Sequence, residues 1–263
     1  MSALRIALFL ILFSLSLANE NPDAHVFPRP LVIEYPENIE PRFDDEVRLK
    51  CASWRFAGEA NNLNPWKTIP EECAGYVKDY MTGKGYESDL LRASEEAGVY
   101  AQNVELGGDG KDVWVFDVDE TLISNLPYYY EHGFGLEVFD SVEFDKWVEK
   151  GVAPAIKSSL KLYQDIKRLG FKAFLLTGRS DRHREVTVEN LKNAGFQDWD
   201  KLVLRLPEDH VKSATTYKSE KRSQMVEEGF RIVGNFGDQW SDLLGSSMSQ
   251  RSFKLPNPMY FIP

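Results

Sequence analysis

Short apolar runs alternate with longer amphipathic stretches through most of the chain. Val113-Trp114-Val115-Phe116 is the clearest run, and a run of that length predicts a buried strand. Apolar strands are expected at 113–117, 172–176, 202–206 and 231–235, with helices near 154–168, 181–194 and 215–228. Gly170, Gly195 and Gly229 follow these helices and suit helix ends. Strand alternating with helix predicts an α/β architecture, a parallel sheet flanked by helices on both faces.

Upstream the pattern is helical. Thr68 and Glu71 fit a capping box with Pro70 in the first turn, opening a helix that ends near Gly83. A second helix is expected from Ser88 to Val104, with Leu90, Ala93, Ala97 and Ala101 along one face. Before these, the segment around Pro22, Pro28, Pro30, Pro36 and Pro41 reads as an extended arm. The expected organisation is a leader over 1–18, an arm over 19–45, a helical region over 46–106 and an α/β core over 107–263. An insertion at about 124–153 interrupts the core. It carries Tyr128-Tyr129-Tyr130, His132, Phe134, Phe139, Phe144 and Trp147. These rings suit either a flap over a substrate or a small cap with its own core.

Charge and cysteines narrow the function. A net charge of −10 argues against a nucleic-acid partner and gives no attraction to anionic membranes. Arg5, the apolar run Ile6–Phe13 and Ser16-Leu17-Ala18 have the form of a secretory signal peptide, with a retained anchor as the alternative. The expected location is therefore the secretory pathway, with no membrane contact once the signal is removed. In an exported chain the 2 cysteines, Cys51 and Cys73, are expected to pair, the alternative being buried free thiols. There is no Asn-x-Ser/Thr sequon.

The chemistry begins where the first strand ends. Asp117-Val118-Asp119-Glu120-Thr121 puts two carboxylates one residue apart beside a buried strand. Carboxylates there must be neutralised, paired or bound to metal. Open α/β sheets also build their sites at this end of their strands. A solvated strand-end turn is the plainer reading. Three further signals come in order: Thr177-Gly178-Arg179 after a strand, Lys218 and Lys221 on a helix, and Asp238 and Asp242 after the last strand. A hydroxyl and backbone N–H groups suit a phosphoryl oxygen. Paired carboxylates suit Mg²⁺, which prefers oxygen ligands.

Taken together these residues resemble the haloacid dehalogenase superfamily, over about Val113 to Asp242. Cys51-Ala52-Ser53-Trp54-Arg55, the Tyr-rich insertion and the ending Phe253-Lys254-Leu255-Pro256-Asn257-Pro258-Met259-Tyr260 look like the plant class B acid phosphatases, a group that includes the vegetative storage proteins. The resemblance implies a Rossmann-like haloacid dehalogenase fold with a small cap or flap and a helical N-terminal extension. It implies hydrolysis of small phosphate monoesters at acidic pH. Asp117 would be the nucleophile and Asp119 the general acid, whose task favours a raised pKa. Thr177, with Gly178 and Arg179, would hold phosphoryl oxygens, and Lys218 would neutralise charge. Mg²⁺ would sit on Asp117, the Asp119 carbonyl and Asp238, with Asp242 ordering a water. Lys218 is preferred to Lys221 because Lys-Ser-x-x-Arg is how related phosphatases write the motif. Glu120 is expected to point away. A nitrogen reserve with weak or vestigial phosphatase activity is the alternative, a sugar-binding role for the aromatic insertion a remote third, and the helical surfaces leave room for a homodimer.

Overall fold

The computed structural model describes residues 43–263. The leader and most of the arm lie outside the described residues. Helix α1 (Phe43–Glu59) comes first, followed by α2 (Ala74–Thr82) and α3 (Lys84–Gln102). The sheet strands are β1 (Asp112–Phe116), β2 (Lys172–Ser180), β3 (Lys201–Arg205), β4 (Arg231–Gly237) and β5 (Arg251–Lys254). Between β1 and β2 lie α4 (Leu126–Glu131), α5 (Ser141–Glu149) and α6 (Lys157–Arg168). Helix α7 (Arg184–Asn193) links β2 to β3, α8 (Ala214–Glu227) links β3 to β4, and the short α9 (Trp240–Leu243) follows β4.

All five strands are parallel, in the order β3-β2-β1-β4-β5. The chain winds outward from β1 to β3, then returns to β1's other side with β4. That reversal makes the C-terminal ends of β1, β2 and β4 the crevice in which such sheets bind ligands.

The β1 sequence shows why this strand is central. Successive side chains point to opposite faces. Trp114 and Phe116 join the larger apolar core with Ala173, Leu175 and Val233. Val113 and Val115 join a second core with Phe174, Leu176, Ile232, Tyr217 and Met225. The N-terminal helices complete the first face: Leu90, Ala97 and Ala101 of α3 pack there with Leu162 and Ile166 of α6. They are thus part of the same core as the sheet.

Several elements differ from the sequence reading. Helix α1 begins at Phe43, inside the segment read as the arm. The Thr68–Glu71 capping box is not formed: residues Glu71–Cys73 make a 3₁₀ turn led by Pro70 with no side-chain cap. Ile69 instead donates its N–H to Gly135 O and is buried, so tertiary pairing displaces the local cap. Helix α3 starts four residues before Ser88, where Tyr86 packs edge-on against Tyr80 at 5.9 Å. Cys51 and Cys73 form a disulfide that ties α1 to the turn before α2. Strand β5 lies outside the four strands that the apolar runs predict.

The aromatic insertion has its own core. Tyr128 stacks on His132 at 4.0 Å and meets Phe144 edge-on at 5.3 Å. Tyr129, Phe139 and Phe144 also line the cleft. The insertion thus packs rings of its own, and Phe144 belongs both to that packing and to the cleft lining.

Candidate active site

A cleft of about 970 Å³ opens at the C-terminal ends of the strands. Asp117, Asp119, Gly178, Arg179, Lys218, Asp238 and Asp242 line it. Asp117 follows β1 directly, and its N–H donates to Phe236 O at 2.9 Å. This seats it beside the end of β4, from which Asp238 emerges. Gly237 lets Asp242 close on the strand, since a Cβ there would lie 2.5 Å from its Oδ2.

Lys218 Nζ donates to both Asp117 Oδ1 and Asp242 Oδ1. All three groups are buried. Lys221 instead pairs with Asp209 at 3.2 Å and lies near the Tyr217 ring. The next turn of the same helix adds Arg222, fully buried, which donates to the carbonyls of Asp242 and Leu244. Arg222 thus fixes the end of α9, and with it Asp242. It is the final residue of the Lys-Ser-x-x-Arg pattern.

The Thr177-Gly178-Arg179 segment sits in a distorted stretch of β2. Between Leu176–Val203 and Ser180–Arg205 the pairing register shifts, β2 using two more residues than β3. Bulges of this kind re-aim side chains near sites. Here Thr177 Oγ1 approaches Asp119 Oδ2 at 3.4 Å and accepts from the Arg179 N–H at 3.1 Å. Gly178 is exposed to the cleft.

Asp119 departs from the sequence reading. Burial pushes its carboxyl up, but the Arg179 charge and hydrogen bonds from Arg179 and Asn125 outweigh this and hold it below its ordinary value. Arg179 donates to it at 2.7 Å from Nη2 and 3.1 Å from Nε. Arg179 therefore faces Asp119.

Glu120 points away from the cleft as expected, and its full burial is the new feature. It accepts hydrogen bonds from Asn125 and from Tyr260 Oη at 2.6 Å. Its φ of 51° is in the left-handed region. Strain of this kind gathers beside functional sites. Tyr260 stacks on Tyr129 at 5.1 Å, and Asn257 Nδ2 donates to Asp238 Oδ2 at 2.7 Å. The C-terminal segment is thus a wall of the cleft. Gly135 helps seat it, since its φ of 99° and close approach to Met259 O leave no space for a side chain.

The carboxylates form a group able to hold a metal ion. Oxygens of Asp117, Asp238 and Asp242 lie within 4.8 Å of one another. Burial, then the charges of Asp242 and Glu120, push Asp238 up to about 7. Burial and then Asp119 push Glu120 up to about 7. Asp117 is raised well above its ordinary value by burial and its acidic neighbours, with Lys218 opposing. One lysine does not neutralise three carboxylates, so the donor set fits a hard divalent cation.

These shifts predict a pH effect on stability. Folded pKa values above the unfolded ones mean that the folded, metal-free protein keeps protons which the unfolded chain has released. The stability from these groups is complete below about pH 4 and is lost as the pH rises through about 7. In EDTA, thermal unfolding at pH 5 is expected at least about 5 °C above that at pH 7.5. A divalent cation should raise the midpoint more at pH 7.5, because it competes with protons. A higher midpoint at pH 7.5 in EDTA would contradict the clustering.

Comparison with known proteins gives consistent results. Residues 41–263 match the family model described as HAD superfamily, subfamily IIIB (acid phosphatase). The chain is 69 % identical to acid phosphatase 1 of Solanum lycopersicum, over 98 % of this chain and 100 % of that protein. It is 39 % identical to vegetative storage protein 1 of Arabidopsis thaliana, over 81 % of this chain and 79 % of that one. Among solved structures, the class C acid phosphatase from Bacillus anthracis with tungstate bound aligns with a TM-score of 0.58 and 21 % identity, covering 72 % of this chain and 85 % of that chain. At that identity the likeness bears on fold alone.

Proposed function

We propose, from the premise that this chain belongs to the acid phosphatases of HAD superfamily subfamily IIIB, that it hydrolyses small phosphate monoesters through an aspartyl-phosphate on Asp117. The observation that carries this reading is the buried Lys218, which holds the Asp117 and Asp242 carboxylates on the cleft floor. An ammonium so placed fixes the nucleophile and offsets the negative charge of an arriving phosphoryl group.

Asp117 attacks phosphorus from the β1 end. The bond to the ester oxygen breaks, and its electron pair leaves on that oxygen, which takes a proton from Asp119. Asp119 then accepts a proton from the water that hydrolyses the aspartyl-phosphate. Thr177 Oγ1 and the backbone N–H groups of the distorted β2 segment hold phosphoryl oxygens. The Arg179–Asp119 pair fits this scheme: a phosphoryl dianion competes for the guanidinium, and an Asp119 relieved of it takes a proton more readily. Mg²⁺ bound by Asp117, the Asp119 carbonyl and Asp238, with Asp242 close by, would supply further charge neutralisation and orientation.

The test is hydrolysis of a chromogenic aryl phosphate from pH 4 to 8, with Mg²⁺ or EDTA. Turnover is expected to fall at least about tenfold in EDTA and to return with Mg²⁺. Full turnover in EDTA would sink the metal assignment. A nitrogen reserve is the second reading, favoured by the likeness to a vegetative storage protein. Tissue abundance separates it from a purely catalytic role, since the two are compatible. An N-terminal signal, with delivery to the vacuole or the exterior, belongs to the same proposal. Among the described residues no helix is long and apolar enough to cross a membrane.

A further inference from the structure

Asn125 has no part in the reaction just described, yet it is fully buried beside it. It precedes α4, where an Asn side chain ordinarily caps the helix. No such cap bond is made. Its Nδ2 donates instead to Asp119 Oδ1 at 2.9 Å and to Glu120 Oε2 at 3.0 Å. Its Oδ1 accepts from Trp147 Nε1 at 2.8 Å.

These partners allow the amide only one orientation. An indole N–H can only donate, which puts the amide oxygen toward Trp147 and the amide NH₂ toward the carboxylates. Trp147 belongs to α5 of the aromatic insertion and packs near Tyr128. A three-residue chain therefore runs from the insertion, through Asn125, to Asp119. Arg179 is the other strong donor to Asp119, and it carries the charge that a phosphoryl group would attract. Asn125 is neutral, so it carries no charge for a phosphoryl group to attract away from Asp119.

We propose that Asn125 is a positioning residue, clamped by the Trp147 N–H, that aims Asp119 at the ester oxygen of the substrate and so makes proton delivery depend on the docked insertion. This rests on the reading of Asp119 as proton donor. In that step the P–O bond breaks toward the ester oxygen, the Asp119 proton moves to it, and the Asp117–phosphorus bond forms.

The test compares two substrates by kcat/KM, which reports only the events up to formation of the aspartyl-phosphate. Glycerol 2-phosphate has an alkoxide leaving group that needs the proton, whereas 2,4-dinitrophenyl phosphate leaves without one. Asn125→Ala is expected to lower kcat/KM for the alkyl ester by roughly 10- to 100-fold, part of the full general-acid contribution, and that for the dinitrophenyl ester by less than about threefold. Trp147→Phe keeps most of the aromatic packing and removes the N–H. It should shift the ratio the same way by roughly three- to tenfold, and it carries the test if Asn125→Ala does not fold. A purely structural role would move both substrates together and leave the ratio unchanged, which overturns the proposal. Asp119→Asn is the control. If it shifts the ratio and neither other variant does, the positioning role falls while the proton-donor reading stands. If it lowers both substrates equally, the proton-donor reading falls and takes the positioning role with it.

Discussion

Asp117→Asn is expected to lower phosphatase turnover by about 10⁴-fold or more, the scale on which loss of a nucleophile acts, while the fold survives. The two halves of this expectation have separate grounds. Catalysis fails because a carboxamide is a far weaker nucleophile toward phosphorus than a carboxylate. Stability holds because the change removes one negative charge from a buried group that already includes Asp119, Asp238 and Asp242. The Asp117 carboxyl is raised by burial first and by those neighbours next, so its ionised form is held at a cost. Lys218 keeps Asp242 as a partner in the variant, and the backbone bond from Asp117 N–H to Phe236 O is untouched. Thermal unfolding in EDTA should therefore be unchanged or slightly raised. The measurement is turnover of an aryl phosphate alongside the unfolding midpoint. Activity within tenfold of wild type, in a folded variant, would rule out Asp117 as the nucleophile.

Lys218→Met should damage both activity and stability. Removing the ammonium leaves Asp117 and Asp242 without their shared cation in a buried site. Breaking a buried ion pair from one side costs about 3–5 kcal/mol, or roughly 10 °C in the unfolding midpoint for a domain of this size. Turnover should fall by about 10²–10³-fold, as for loss of one preorganised charge-stabilising group. Mg²⁺ should recover more of the midpoint in this variant than in wild type, because it supplies the missing positive charge. Lys221→Met is the matched control, as Lys221 pairs with Asp209 on another side of the helix. Its turnover is expected to stay within about twofold, since isolated ion-pair changes away from a site have small effects. A loss that followed Lys221 and spared Lys218 would reverse the assignment.

The chain announces much of its fold because the deciding signals are local. The Val113–Phe116 run is apolar on both faces, which only a central strand tolerates, and it is buried on both. The glycines after α6, α7 and α8 mark helix ends that are legible within a few residues. Strand β5 is different. Arg251-Ser252-Phe253-Lys254 is short and mostly polar, and it becomes a strand by pairing along β4. The same holds for α3, whose first turn forms because Tyr86 finds Tyr80.

The candidate site divides along the same line. Residue types at strand ends are readable one at a time, so Asp117, Asp119, Thr177 and Asp238 stand out without a structure. Which partner each one meets is a matter of long-range geometry. Lys218 and Lys221 differ by about 60° around one helix, and only the packing of α8 on the sheet turns the first toward Asp117, 101 residues away. Arg179 lines the cleft and pairs with Asp119 across the register shift of β2, a partner that its place in the sequence does not reveal.

By itself the sequence determined the strand–helix order, the end of the sheet at which carboxylates gather and which carboxylates those are, since hydrophobic period and residue type act over a few neighbours. Only the tertiary structure decided how those charges are shared. Glu120 turns inward to meet Tyr260, Asn257 reaches Asp238 from the C-terminal segment, and Asn125 joins Trp147 to Asp119. Each of these contacts joins separate elements, and its existence depends on how whole strands and helices pack.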